Sequence, residues 1–431
     1  MKRLLLPAFV MAALSVSAAG PYDSIVAADG TGDFRTVSEA IAAAPEGSTR
    51  PWKILVKNGD YDELIEIPET KPNIHLIGQD RGRTVIHHLV NQGGKAQENS
   101  RFDKTIYWQS SVHNPESPTY GKGPAVVMVK APGFYAEDIT FTNDWGVDAT
   151  SGPQALAMHT NADRSALNGC VLRGFQDTWR TANEDTCRTY ARDCRIEGAV
   201  DYMYGGGDAL VENSVFYNVR GGSVIVAPSH GPDVKWGYVL DGCTVDGNAE
   251  AADGKLKLGR PWKGAPKVLW LNTTLLIPIL PEGWGDMGTI PAMMADRGTR
   301  DRIGKPDDTS ARKILYKVRD RKTGEVTEGT ARASVTDAEA ARYTYDAIIR
   351  PAEGWDPAAM MTRLPAPTEL KYENGTLSWQ PVEGAAGYIV YDGDHIITAT
   401  EATSLSVPQI KTSLKVRAVN PWGAKGKQTF N

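Results

Sequence analysis

Two aspartates occupy matching places in the sequence. Asp177 lies seven residues after Cys170, and Asp201 lies seven residues after Cys194. Each follows an apolar segment and a glycine. If the two segments stack in register as strands, the carboxyl groups fall on neighbouring rungs, about 5 Å apart. Carboxyl groups that close do not ionise independently: one keeps its proton while the other is charged. An acid and a base or nucleophile then coexist near neutral pH. Gln176 precedes Asp177, and Gln154 lies in Gly152-Pro153-Gln154-Ala155-Leu156. Amide side chains of this kind can donate to a developing oxyanion. Gly259-Arg260-Pro261-Trp262 puts a guanidinium in a rigid turn, where it can hold one aspartate ionised. Plainer readings exist for each feature. Aspartates at turns cap backbone amides, glutamines form structural ladders, and an arginine can form an ordinary salt bridge. Competing chemistries lack their residues: the sequence holds no His-Glu-x-x-His, no Cys-x-x-Cys and no Gly-x-Ser-x-Gly. His87-His88 is a weak metal signal, and no metal site is expected.

A repeat must position these groups. Asn73-Ile74-His75-Leu76, Asp138-Ile139-Thr140-Phe141, Gly169-Cys170-Val171-Leu172, Asp193-Cys194-Arg195-Ile196, Asn213-Ser214-Val215-Phe216, Gly242-Cys243-Thr244-Val245 and Asn272-Thr273-Thr274-Leu275 share one pattern. A turn-former is followed by a small or apolar residue, a variable residue and a large apolar one. The later copies recur every 20 to 31 residues. Alternation puts the second and fourth positions on one face of a short strand. Such a period without long helical patterns predicts a solenoid of stacked strand coils. Ile139, Cys170, Cys194, Ser214, Cys243 and Thr273 should form one inward ladder. Cys170 and Cys194 then come close enough for a disulfide or pack reduced; Cys187 has no place in the ladder. A solenoid needs covered ends. The capping box Thr36-Val37-Ser38-Glu39 predicts a short N-terminal helix stopped by Pro45, and Asp337 to Tyr345 is a second helix candidate.

The chain has 431 residues, 41% hydrophobic and 23% charged, enough for a large core and unlike a disordered or collagenous chain. Lys+Arg number 47 against 52 Asp+Glu. That balance gives no basic surface for a nucleic-acid partner. Four cysteines are too few for a disulfide scaffold. Residues 1–19 read as a secretory signal: Lys2 and Arg3, an apolar run from Leu4 to Leu14, and small residues at Val16-Ser17-Ala18-Ala19. No other apolar stretch is long enough to enter a membrane. The expected product is a soluble monomer, secreted or periplasmic. Residues 20–357 read as one unit, 358–364 as a proline-punctuated linker and 365–431 as a small β-sandwich. Trp379 and the strand Val416–Val419, followed by Asn420-Pro421-Trp422-Gly423, resemble a trimmed fibronectin type III module.

The main unit resembles the pectin methylesterase (pectinesterase) family from about Ser24 to Pro357. The resemblance rests on Val26-Ala27-Ala28-Asp29-Gly30-Thr31-Gly32-Asp33-Phe34, Gly59-Asp60-Tyr61-Asp62-Glu63, the Gln154-Ala155 segment, Gly174-Phe175-Gln176-Asp177-Thr178 and Leu258-Gly259-Arg260-Pro261-Trp262. It implies an all-β, right-handed parallel β-helix acting on methylated galacturonan without metal or organic cofactor. By the same resemblance, Asp201 is the nucleophile at the C6 methyl ester and Asp177 the general acid and then base. Gln154 and Gln176 stabilise the oxyanion, Arg260 orients Asp201, and Tyr202, Trp179 and Trp262 line the sugar subsites. One departure stands out. The family's usual Asp-Phe-Ile-Phe-Gly is here Asp201-Tyr202-Met203-Tyr204-Gly205. The polar stretch Asn91 to Lys122 is expected to form a loop over the cleft. A β-helix glycosidase or lyase, an acyl thioesterase and a non-catalytic polysaccharide-binding protein remain the alternatives.

Overall fold

The computed structural model describes residues 20–93, 104–146, 149–320, 322–350 and 354–429; the expected signal segment lies outside them. Three parallel sheets of ten, nine and eight strands wrap into a right-handed β-helix. One coil runs Ser165–Asn168, Val171–Arg173 and Trp179–Arg180, one strand in each sheet, before Arg188–Arg192 opens the next.

The inward ladder is present. Val171 pairs with Thr140 and Arg195, Arg195 with Val215, Val215 with Thr244, and Thr244 with Thr274. Ile139, Cys170, Cys194, Ser214, Cys243 and Thr273 therefore stack one residue earlier, and all are buried. The four cysteines are free thiols. The turn-formers have a physical reason. Asp138, Asp193, Asn213 and Asn272 lie at φ 49 to 56°, and Gly169 and Gly242 at 62°. Only Gly, Asn and Asp enter this left-handed region readily. Asn73 shares the conformation at φ 60°, but its strand, Ile74–Gly78, belongs to the ten-stranded sheet and pairs His75 with Tyr135. The motif thus marks a turn into a strand, whichever sheet that strand joins.

Helix Val37–Ala43 carries the expected capping box between Thr36 and Glu39 and buries Val37, Ala40 and Ile41 on the first coils. At the far end, Tyr316 of the antiparallel hairpin Leu315–Arg319 and Val326–Thr330 enters the same core as Leu275 and Trp284. The single helix expected over Asp337–Tyr345 is two short helices, Asp337–Ala340 and Tyr345–Ile348. Thr344 caps the second through the Ala347 N–H and so interrupts the first. Ile348 packs beside Tyr190 and Leu210 on the outer face of the ten-stranded sheet.

The C-terminal region is a sandwich of a three-stranded and a four-stranded antiparallel sheet. Leu377, Trp379, Tyr388, Val390 and Val416 fill it. The opposite face of the four-stranded sheet, with Ile389, Tyr391, Ile396 and Val419, packs on Tyr22, Leu55, Ile77 and Tyr135 of the β-helix. The first residues of the expected linker pack between the two regions. Pro357–Met360 is a helical turn, Met360 and Met361 are buried, and Asn420 donates to the carbonyls of Met360 and Thr362. Prolines here fix the chain's direction without freeing it. Lys425 is fully buried at this junction. Its Nζ donates to the carbonyls of Gly78 and Gln79 and lies 3.0 Å from Asp138 Oδ2.

Candidate active site

Asp177 and Asp201 sit where the nine-stranded sheet turns into the eight-stranded one. A parallel bridge joins Gln176 to Val200, and Trp179 pairs with Met203. Both fix the same offset as the cysteine ladder, so Asp177 stacks on Asp201 one strand spacing away, about 4.8 Å. Both aspartates occupy the left-handed region, at φ 63° and 50°. Such strain costs on the order of 1 kcal/mol or more and persists where surrounding structure enforces it.

Burial and partners divide their roles. Asp201 is 5% exposed and Asp177 9%. Arg260 grips Asp201 with two parallel bonds, Nε to Oδ1 at 2.8 Å and a terminal nitrogen to Oδ2 at 2.6 Å. The arginine is set by its own backbone, whose N–H donates to Val226 O. Gly259 before it has no room for a side chain: a Cβ there would sit 2.5 Å from Val226 Cγ2. Burial raises the pKa of Asp201, and the Arg260 guanidinium opposes that rise. For Asp177, burial and then the charge of Asp201 push the pKa up to about 8, against the Tyr204 hydrogen bond, Arg180 and Arg260. Asp201 has the bidentate cation and ionises first. Asp177 then faces a fixed negative charge and keeps its proton through neutral pH. The pair is an ionised carboxylate stacked on a carboxylic acid.

Gln154 and Gln176 lie half-buried at the same edge, and the Ala155 N–H bonds Gln176 O at 3.2 Å. Gln154 O accepts from Gln92 N–H at 2.8 Å, which ties the described start of the Asn91–Lys122 stretch to this edge. Trp262 is half-buried here and meets Tyr204 edge-on at 5.6 Å, with Arg180 over both rings.

Two expected subsite residues are corrected. Trp179 and Tyr202 are fully buried in the β-helix core, where Trp179 donates to Thr160 and Tyr202 to Asn218. Neither can touch a sugar. The reason for Tyr202 is a register shift between Val200 and Met203 against the next strand. Such a bulge breaks the in–out alternation: Tyr202 and Met203 both face inward, and Tyr204 emerges beside Trp262 and Ala227. Tyr204 and Arg180 are the site residues that sequence reasoning missed. Alternation after the inward Trp179 was the available signal for Arg180; Tyr204 had none, because the bulge before it breaks parity.

His87, the metal candidate, is held by Asp144 at 2.7 Å and Asp60 at 2.9 Å, away from the aspartate pair in sequence and on another sheet. His159 is buried, and burial drives its pKa down to about 3. Among the described residues, no three His, Cys, Asp or Glu side chains are gathered as a metal centre requires.

The pectinesterase family profile matches residues 23–294. A pectinesterase from Petunia integrifolia is 31% identical over 283 residues, covering 63% of this chain and 67% of that protein. A pectinesterase/pectinesterase inhibitor from Prunus persica is 33% identical over 275 residues, covering 61% of this chain and 47% of its own length. The chain spans about half the length of the first curated relatives it matches. Carrot pectin methylesterase shares the fold with a TM-score of 0.61 at 24% identity, covering 79% of this chain and 97% of that one. Aspergillus niger pectin methylesterase aligns with a TM-score of 0.53 at 25% identity, covering 67% and 87%. A β-helix of this architecture, with the matched stretch running from the first strand through the aspartate pair and Arg260, places the chain in the pectinesterase family.

Proposed function

We propose that this protein hydrolyses the C6 methyl esters of galacturonate in pectic polysaccharide and releases methanol. The observation that carries the reading is the unequal aspartate pair: Asp201 clamped by Arg260, and Asp177 buried above it with its pKa pushed up to about 8. Asp201 attacks the ester carbonyl carbon. Gln154 and Gln176 donate to the resulting oxyanion, as preorganised amide donors do. Asp177 gives its proton to the departing methoxide, so methanol leaves and an acyl anhydride on Asp201 remains. Asp177, now charged, takes a proton from water, and the hydroxide adds to the galacturonate carbonyl. Collapse frees the uronic acid and regenerates ionised Asp201 beside protonated Asp177. Each step is carried by the chain's own groups.

Trp262, half-buried, forms the wall on which a sugar ring stacks, backed by its edge-on contact with buried Tyr204. The chain acts as a monomer outside the cytoplasm after loss of residues 1–19. No described helix is long and apolar enough to cross a membrane. The C-terminal sandwich is a trimmed fibronectin type III-like module. Methanol release from methylated galacturonan by the purified chain tests the assignment. Depolymerisation without methanol would replace it with the glycosidase or lyase alternative.

A further inference from the structure

We propose a second carbohydrate site, for de-esterified uronate, in the cationic cavity between the β-helix and the C-terminal sandwich; it rests on the esterase reading above. The cavity holds about 900 Å³. Its floor is a stack of turns from successive coils, at Arg81, Asp138, Gly169 and Asp193. Its walls are Arg363, from the segment that joins the two regions, and Arg417 of the sandwich. The site therefore exists only because the sandwich is docked.

Four guanidiniums, those of Arg81, Arg192, Arg363 and Arg417, line it against Asp80, Asp138 and Asp193. The acids are largely committed. Asp138 holds the buried Lys425 at 3.0 Å, and Asp80 accepts from the Gly82 N–H at 2.8 Å. The arginines keep free donors: Arg417 Nε donates to Gly426 O at 2.9 Å and an Arg192 terminal nitrogen reaches Met361 O at 3.4 Å, but none of the four has a close carboxylate within the cavity. Arg192 Nε is buried with no hydrogen-bond partner, its nearest carboxylate 3.7 Å away at Asp193. Arg363 is half-exposed and 3.9 Å from Asp138, and Arg81 reaches only the Asp193 carbonyl at 3.4 Å. Loosely held guanidiniums facing one cavity present forked donors to carboxylates.

Uronate is the anion that the rest of the molecule specifies. The chain carries a net charge of -5, so this cavity is a local exception and not part of a general polyanion surface. Gly169 and Asp193 belong to the same two coils as Asp177 and Asp201, each eight residues upstream. The two sites are therefore at most about 29 Å apart along the chain. De-esterification at Asp201 creates carboxylates on the substrate, and a site this near can hold a product stretch while methylated neighbours stay beside Asp201.

The test uses the full chain and a fully de-esterified galacturonate hexamer, titrated calorimetrically. An Arg192→Gln/Arg363→Gln variant should bind it about tenfold more weakly, as loss of charge-assisted hydrogen bonds predicts. Binding to Asp201→Ala should be retained. On partly de-esterified pectin the double variant should raise KM with kcat unchanged, and on a fully methylated trimer it should match the wild type. Arg363→Gln alone, at a half-exposed position, keeps the test valid if the double variant misfolds. Equal hexamer affinity with and without these arginines overturns the proposal. So does a sulfated glycan that binds as tightly and weakens equally. Wild-type protein that releases no methanol would sink the esterase reading while leaving the hexamer titration interpretable.

Discussion

Two corners of this β-helix carry aspartates in left-handed turns, and the corners do different things. At the turn into the nine-stranded sheet, Asp138 and Asp193 lie at φ 52° and 56°. At the next corner, Asp177 and Asp201 lie at φ 63° and 50°. Residue type and backbone are alike, although Gly169 lies between Asp138 and Asp193 while Asp177 and Asp201 are direct neighbours. Surroundings separate them. The Asp193 side chain is 58% exposed, with a guanidinium 3.7 Å away. Asp138 is spent on holding Lys425 and the sandwich. Asp201 is nearly buried and gripped at both oxygens by Arg260, whereas at Asp177 burial and the Asp201 charge outweigh Arg180 and Arg260. A left-handed aspartate stack is thus a folding device. It becomes chemical when one acid is dried and the other is given a bidentate cation.

A matched pair of substitutions probes that contrast most strongly. Asp201→Asn should lower methanol release by about 10⁴-fold or more, because an amide cannot be the nucleophile. Asp193→Asn, which keeps the same turn preference, should leave the rate within about twofold. Comparable losses from both would erase the distinction between the corners. Next in size, Gln176→Ala should cost about 10²–10³ in kcat if its amide meets the oxyanion. A change in KM alone would make it a binding group.

The structural corner should respond in stability instead. Lys425→Ala leaves Asp138 without its buried cation and should destabilise the chain by about 3–5 kcal/mol in denaturant melts. Its kcat on a short methylated substrate should stay within about threefold of wild type. A large kcat loss at full folding would couple the corners.

The smallest expected effect is a shift in a pH profile. Catalysis needs Asp201 charged and Asp177 protonated, so kcat/KM should fall as pH rises through about 8. The Tyr204 hydrogen bond favours ionised Asp177, so it lowers that pKa. Tyr204→Phe should therefore move the alkaline limb to higher pH. Tyr202→Phe, in the core, should leave the limb in place. An unmoved limb in Tyr204→Phe would remove the hydroxyl from the acid's environment.

How much of this was legible in the residues follows from what each feature depends on. The ladder was readable because strand period and left-handed turn-formers are local, and Cys170 and Cys194 fixed the register that brought Asp177 over Asp201. The capping helix was readable for the same reason. Tyr202 was misplaced because a bulge shifts parity by one residue, and nothing local to Asp201-Tyr202-Met203-Tyr204 announces it; Trp179 simply faces inward in its strand. Prolines signal stiffness as well as separation, so the docking of the sandwich was not legible at the linker. Tyr388-Ile389-Val390-Tyr391 held the missing clue. A strand apolar at every position is buried on both faces, and here the second face lies on the β-helix. Arg260 was found, but its bidentate grip on Asp201 depends on a contact 59 residues apart in sequence.

The central claim is that one acid of the pair stays neutral at a pH where the other is fully charged. Carbon-13 carboxyl NMR of aspartate-labelled protein across pH 3 to 10 measures this directly. One resonance should titrate near 8 and vanish in Asp177→Asn, while the Asp201 resonance is already that of a carboxylate at pH 7. If both carboxyls instead complete ionisation together in the ordinary carboxylate range, the acid–nucleophile division is wrong.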